Sequence, residues 1–441
     1  MKRMTKFIVL ILFCSIPGPL ISFADTDGAI QLNKDPRGAI TLRKAVPLAL
    51  MHNPELEAFS LERRVREARA LQAGLLPNPK LQFMVEDAVG SGQFSGFGGS
   101  QTTLQLSQLV ELGGKRAARL RVGNLSTKLA DWDYETKRMD VLTAVTKAFI
   151  ELLKGQQKVS LSNDLVQLGK KFLAAVSERV RAGKIAEIEK VKAEVVLSSK
   201  RIKLERALRD LKVARRNLSV LWGSVDPQFG PAEGNLFQVM AVPPLESLIE
   251  RVNSNPDLAR WTTELEQRQA VLDSELAKKV PDLTLHGGVR RLEQTNDNAL
   301  VFGVSMPLQF FDRNQGGIEE ARQNLAKADA EKKAAEVQVN KMLLEAYNSL
   351  VFYNAQVVSI KTRVLPGAQK AFDGVNEGYQ FGKFGFLDVL DSQKTLFEVR
   401  GQYLDALEKY HKAVADLERV TGEPLTYTNQ PLTNAGERGR P

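Results

Sequence analysis

Apolar residues fall at alternating spacings of four and three along two long stretches of this chain. One stretch runs from Glu111 to Ala182 and includes Leu142, Val145, Phe149 and Leu152. The other runs from Gly317 to Gly378 and includes Val339, Leu343, Ala346, Leu350, Tyr353 and Val357. That repeat gives a helix an apolar seam of coiled-coil type. No proline falls between Pro79 and Pro227 or between Pro307 and Pro366, as long helices require, because interior proline removes a hydrogen bond and clashes with the preceding turn. About 60 to 70 helical residues would reach roughly 90–105 Å, far more than a compact domain needs.

Shorter helices are predicted at Leu42–Ala73, Ile185–Trp222, Leu245–Lys278 and Phe386–Val420. The second and third, separated by the Gly/Pro-rich GSVDPQFGPAEGN, have the combined length to stack end to end beside one long helix. The first and last are expected to stack likewise.

Between the helices the pattern changes to a period of two. Lys80–Val89 and Gln101–Val110 alternate apolar and polar residues, as do Asp282–Arg290 and Ala299–Leu308. Each pair is joined by a polar loop, GSGQFSGFGGS in the first and LEQTND in the second. Strands of this length with one apolar face match the tilted strands of an outer-membrane barrel.

The two halves repeat each other. NPEL at Asn53 corresponds to NPDL at Asn255, Pro77 to Pro281, and GKIAEIEKVKAE from Gly183 to GKFGFLDVLDSQ from Gly382. Landmarks in one order at offsets of about two hundred residues indicate an internal duplication. The expected organisation is a leader at 1–24, a linker at 25–40, a first repeat at 41–222, an equatorial linker at 223–244, a second repeat at 245–420 and a disordered tail at 421–441.

Charge and cysteine usage narrow the setting. Lys2, Arg3 and Lys6 precede the apolar run Phe7–Phe13, and Ser22-Phe23-Ala24 offers a small-x-small cleavage site, so a secretory signal peptide is expected. The single cysteine, Cys14, lies inside that segment behind Phe13, which disfavours lipidation and leaves the mature chain without a thiol. The formal charge is +9 over the chain, and its Lys/Arg and Asp/Glu residues are interspersed along helices, unlike a nucleic-acid footprint. Three histidines, His52, His286 and His411, form no clustered metal-ligand set. No catalytic constellation or cofactor loop appears, so neither an enzyme nor a bound cofactor is expected. GKFG and GKIA lack the spacing of a phosphate-binding loop and read as helix–helix turns.

Four membrane strands cannot close a barrel, and an open edge in lipid leaves backbone groups unpaired at several kcal/mol each. Several copies must therefore share one. At Gln72–Phe83 (QAGLLPNPKLQF), Ser107–Leu120 (SQLVELGGKRAARL), Leu308–Gly317 (LQFFDRNQGG) and Leu387–Leu396 (LDVLDSQKTL) the chain resembles the TolC-like outer-membrane efflux factors. The first two stretches are most similar to the heavy-metal branch, which serves cobalt–zinc–cadmium type efflux. The resemblance implies a mainly helical, TolC-like homotrimer with a small β part: a shared 12-strand barrel in outer-membrane lipid above a periplasmic coiled-coil tunnel. It further implies docking to a periplasmic adaptor and to an inner-membrane, proton-driven pump of the resistance-nodulation-division class. A multidrug or type I secretion duct keeps the same fold. A periplasmic adaptor fits less well, because adaptors place one hairpin among β-rich domains.

Asp388 and Asp391 share one helix face, continued by Thr395 and Glu398. Read by residue type alone, they complement the dipole of a first helical turn and face water. The resemblance instead implies a periplasmic aperture, where threefold symmetry would gather six carboxylates that attract cations. Glu189 aligns with Asp388 in the first repeat, while Lys192 stands in place of Asp391. By the same resemblance, Ala182, Gly183, Lys184 and Ile185 of one turn and Phe381, Gly382, Lys383 and Phe384 of the other are adaptor-docking tips. His286 is predicted to face the barrel lumen.

Overall fold

The computed structural model describes residues 35–252 and 255–425. The predicted leader, residues 25–34 of the first linker and residues 426–441 of the tail lie outside them.

The first repeat comprises α1 (Leu42–His52), α2 (Pro54–Ala73), β1 (Lys80–Glu86), β2 (Gln101–Val110), α3 (Lys115–Arg181) and α4 (Glu187–Val220). The second comprises α5 (Leu245–Val252), α6 (Pro256–Ala277), β3 (Leu283–Leu292), β4 (Asp297–Ser305), α7 (Gln315–Ser359), α8 (Leu365–Gln380) and α9 (Phe386–Thr421). Both long helices begin after a residue in the left-handed conformation, Gly114 and Asn314, which turns the chain from strand to helix.

Several boundaries depart from the sequence reading. The single helix predicted over Leu42–Ala73 is two helices, because Pro54 forces Asn53 out of the helical region to φ −72°, ψ 120°. The second long helix is interrupted by a π-helical turn at Ile360–Val364. Pro366 follows it and has no N–H to bond back into the helix, so the ladder shifts there. Strand β1 stops at Glu86 because Asp87 and Val89 adopt positive φ. At the C-terminal end α9 continues through Thr421, and Leu425 is buried with its N–H bonded to Glu418, so the predicted disorder does not begin at Thr421.

The stacking of the short helices also differs from expectation. Helix α2 stacks on α4, and α6 on α9, each within its own repeat. Asn53 accepts hydrogen bonds from the N–H groups of Glu55 and Leu56, both at 3.0 Å, while its amide donates to the Leu221 carbonyl at 2.9 Å. Asn255 accepts from Asp257 at 2.7 Å and donates to the Val420 carbonyl at 2.6 Å. One buried asparagine thus caps the upper helix and takes up a free carbonyl at the end of the lower one. The reason is topological: α4 turns back along α3, which also carries α2, so the two ends meet.

The four strands form one antiparallel sheet in the order β1-β2-β3-β4. Lys80, Ser107, His286 and Gly303 lie in one row of its register. One face carries Leu81, Phe83, Leu104, Leu106, Leu285, Val289, Leu300, Phe302 and Val304, all exposed. The other carries Gln82, Thr103, Gln105, Ser107, His286 and Arg290. An apolar face turned outward is the reverse of a water-soluble sheet and is what a lipid-facing barrel wall needs.

The same lateral order recurs below the sheet. Near it α3 packs between α2 and α6, and α6 packs on α7; toward the far end α3 packs between α4 and α9, and α9 packs on α7 and α8. Every layer thus has first-repeat elements at one edge and second-repeat elements at the other. Two apolar cores sit around the middle, one joining α1, α3 and α4 and the other α5, α7 and α9.

Candidate channel tip and lumenal wall

At the end remote from the sheet, α3 turns into α4 and α8 into α9 through the same backbone motif. Gly183 donates to the Val180 carbonyl at 2.9 Å and Lys184 to Arg179 at 2.9 Å; Gly382 donates to Tyr379 at 3.2 Å and Lys383 to Gly378 at 2.8 Å. The pairing is a Schellman cap. It requires a left-handed residue, met by glycine at φ +68° and +74°.

The two turns lie side by side. Phe172 of α3 stacks on Phe386 of α9 with ring centroids 4.7 Å apart and reaches Tyr379 of α8 at 6.3 Å. The Arg179 guanidinium stands 4.4 Å over the Tyr379 ring. Among the predicted docking residues, Ala182, Gly183, Lys184, Gly382 and Lys383 are exposed and Ile185 is half-buried. Phe384 folds back onto Gly378, where no side chain obstructs it, whereas Phe381 is 73% exposed.

The three predicted aperture acids have different surroundings. Asp388 accepts a hydrogen bond from the Gly385 N–H at 2.8 Å, capping α9. Glu189 pairs with Lys192 at 2.8 Å. Asp391 is exposed, and its carboxylate makes no hydrogen bond or ion pair among the described residues. Asp388 is thus the one acid in the first turn of α9 and its carboxylate is occupied in the cap, while Asp391 falls in the next turn with its charge unpaired among the described residues.

Sequence reading missed what lies above the tip. Lys200 of α4 crosses α3 at Gly169, where a Cβ would stand 3.1 Å from its Cδ, and its ammonium reaches Gln393 of α9. Burial, reinforced by neighbouring Lys203, lowers the Lys200 pKa to about 8. Higher up, an ion-pair ladder joins the repeats: Lys147 with Asp416, Lys154 with Asp405 and Glu408, Lys412 with Glu151 and Glu408, and Arg419 with Asp140 and Asp257. Burial opposes the charge on Glu408, but hydrogen bonds from Lys154 and Lys412 outweigh it and hold the carboxyl below its ordinary value. The ladder's acids are thus compensated, in contrast with Asp391. The glycine at 169 opposite a lysine was the one available signal, and it identifies no partner.

On the polar face of the sheet, His286 meets Ser305 at 3.0 Å, and Arg290 bonds Thr103 at 3.0 Å and Gln101 at 3.2 Å. Among the described residues no group of three or more His, Cys, Asp or Glu side chains could hold a metal ion, and no helix is long and apolar enough to cross a membrane.

Comparison with known proteins accords with this geometry. The profile of the family described as "Outer membrane efflux protein" matches residues 45–224 and 250–423. The chain is 35% identical to the cobalt-zinc-cadmium resistance protein CzcC of Cupriavidus metallidurans over 96% of its own length and 100% of that protein's. It is 25% identical to the nickel-cobalt-cadmium resistance protein NccC of Alcaligenes xylosoxydans over 71% of its length and 70% of that protein's. The crystal structure of the Campylobacter jejuni CmeC outer membrane channel superposes with a TM-score of 0.73 at 16% identity, covering 88% of this chain and 87% of that one. The lipid-facing sheet, the stacked coiled-coil helices and these matches together place the chain in the outer membrane efflux protein family, channels and not enzymes.

Proposed function

We propose that the protein is the outer-membrane exit duct of a tripartite system that exports divalent heavy-metal cations. The observation that carries this reading is the similarity, over essentially the whole chain, to a cobalt-zinc-cadmium resistance protein. The cations are cargo. A conduit need not bind them tightly, so a resident metal cluster is not required.

The reading includes a homotrimer closed by unlike edges. On α7, Val337, Leu344, Val351 and Val358 are exposed at intervals of seven. On the opposite edge, Ile188, Val195 and Ile202 of α4 are exposed at the same interval, with Leu61 and Val65 of α2 above them. Two heptad stripes without a partner support coiled-coil packing between copies, while β1 and β4 have free edges that a neighbour's strand would pair. Three copies would bring the four-strand sheet to a 12-strand barrel. In that ring the turns at Ala182–Ile185 and Phe381–Phe384 would meet a periplasmic adaptor linked to an inner-membrane pump, and Asp391 with Asp388 would line the aperture.

The test is growth of a deletion strain and its complemented twin on cobalt, zinc, cadmium, nickel, copper and silver salts, alongside dyes and detergents. Metal sensitivity restored by the gene supports the reading. Sensitivity to organic compounds with normal metal tolerance removes the heavy-metal cargo and leaves the channel.

A further inference from the structure

The alternation of apolar residues on β4 does not stop where its pairing stops. Leu300, Phe302 and Val304 are followed at the same period by Met306, Leu308 and Phe310, all exposed, and Phe311 beside them is 93% exposed. This segment between sheet and α7 is held in place. Gln309 donates to the Lys278 carbonyl at 3.1 Å, Arg313 to Gln309 at 3.3 Å and Gln315 to Phe311 at 3.0 Å. A pinned backbone that presents several large apolar side chains to solvent is an interaction surface without its partner.

A second apolar segment occupies the same level at the other edge. Leu71 in the last turn of α2, and Leu75 and Leu76 between α2 and β1, are exposed. Their backbone is also fixed, with Arg116 bonded to the Gly74 carbonyl and Gln108 to that of Pro77 at 3.0 Å. The register puts the two segments at the same height, because Lys80 and Gly303 share one row and both segments continue from that end of the sheet. They cannot meet within one chain, since β1 and β4 are opposite edges.

We propose that Leu71, Leu75 and Leu76 of one copy pack against Leu308, Phe310 and Phe311 of the next, forming an apolar collar between barrel and tunnel. The collar rests on the ring reading above and is continuous with its edges: it lies directly between the strand pair and the heptad stripes that would join the copies. Its occupant is a second copy of this chain, and its place is where the strand pairing of the barrel gives way to helix packing.

Cysteine cross-linking tests it cleanly, because Cys14 is the only native cysteine. In a Cys14→Ser background, Leu76→Cys is combined with Phe310→Cys, and Leu75→Cys with Phe311→Cys as a second pair in case the first disturbs folding. Oxidation in intact outer membranes should shift the chain on gels to a ladder ending at three copies. The ladder should collapse on reduction and be missing from each single-cysteine variant. Native mass is measured on the same samples, with maleimide labelling of the thiols. A trimer without a ladder overturns the collar and leaves the ring, whether the thiols are shielded by lipid or labelled from water. A monomer without a ladder overturns both.

Discussion

The two turns at the tip share a backbone and differ in how they use charge. Both close through the same Schellman pairing at glycine. In the first, Glu189 is neutralised by Lys192 in the next turn of α4. In the second, Asp388 is held by the Gly385 N–H and Asp391 is left free. The difference continues upward. Lys200 of the first repeat corresponds to the buried Val399 of the second, and the unbroken α3 corresponds to a helix interrupted by a π turn. Helix α3 packs on α4 and α9 around the tip end, whereas α8 packs on α9 and buries only Gly378. After duplication, the joints set by backbone geometry stayed alike. Side chains diverged where the two copies of a position came to face different neighbours.

Four measurements would break or sharpen that contrast. The largest effect is expected at the proposed aperture. In reconstituted channels, Asp388→Asn with Asp391→Asn should lower cation permeability several-fold, while Glu189→Gln should leave it unchanged because that carboxylate is already paired. Equal permeability in all three channels would remove the charge asymmetry. Next come the joints, where the repeats should behave alike. Asn53→Ala and Asn255→Ala each remove a cap and orphan a carbonyl, costing about 1–3 kcal/mol, read as similar losses of denaturation midpoint. A loss confined to one repeat would mean that the two joints are not equivalent.

The third measurement concerns Lys200. Its pKa in the folded chain is about 8, below the ordinary 10.5, so between those values the unfolded chain holds a proton that the folded chain lacks. Stability therefore rises with pH across that window, and the penalty of the buried charge is fully present below it. Lys200→Met, moving the site toward its Val399 counterpart, should raise stability below pH 8, with the gain shrinking as pH approaches 10.5. A gain independent of pH would assign the effect to packing. The smallest effect is expected from Pro366→Ala, which restores an N–H that helix α8 lacks. Hydrogen exchange over residues 360–366 should slow; unchanged exchange would show that the π turn has another cause.

Much of the molecule was legible in one dimension. Each heptad seam, period-two strand and Asn-Pro or Gly-Lys landmark is written in a short run of consecutive residues and depends on local geometry. The helix breaks were legible too, at Asn53-Pro54 and near Pro366, though both were read through as continuous helix. The candidate aperture was visible as residue types, but nothing in Asp388, Asp391 or Glu189 themselves says which carboxylate is capped, paired or free.

Sequence alone determined that the chain is a duplicated, helix-rich protein with four barrel-length strands, because periodicity and strand length are properties of consecutive residues, while the channel itself was read from resemblance to a known family. Tertiary structure decided which short helix stacks on which, because the lengths allow either arrangement and only the return of α4 and α9 along their partners brings Asn53 to Leu221 and Asn255 to Val420. It also decided the ladder from Lys147 to Arg419 and the crossing of Lys200 over Gly169. Those contacts join residues far apart in the chain, and the energy of a charge depends on what surrounds it, which no local pattern records.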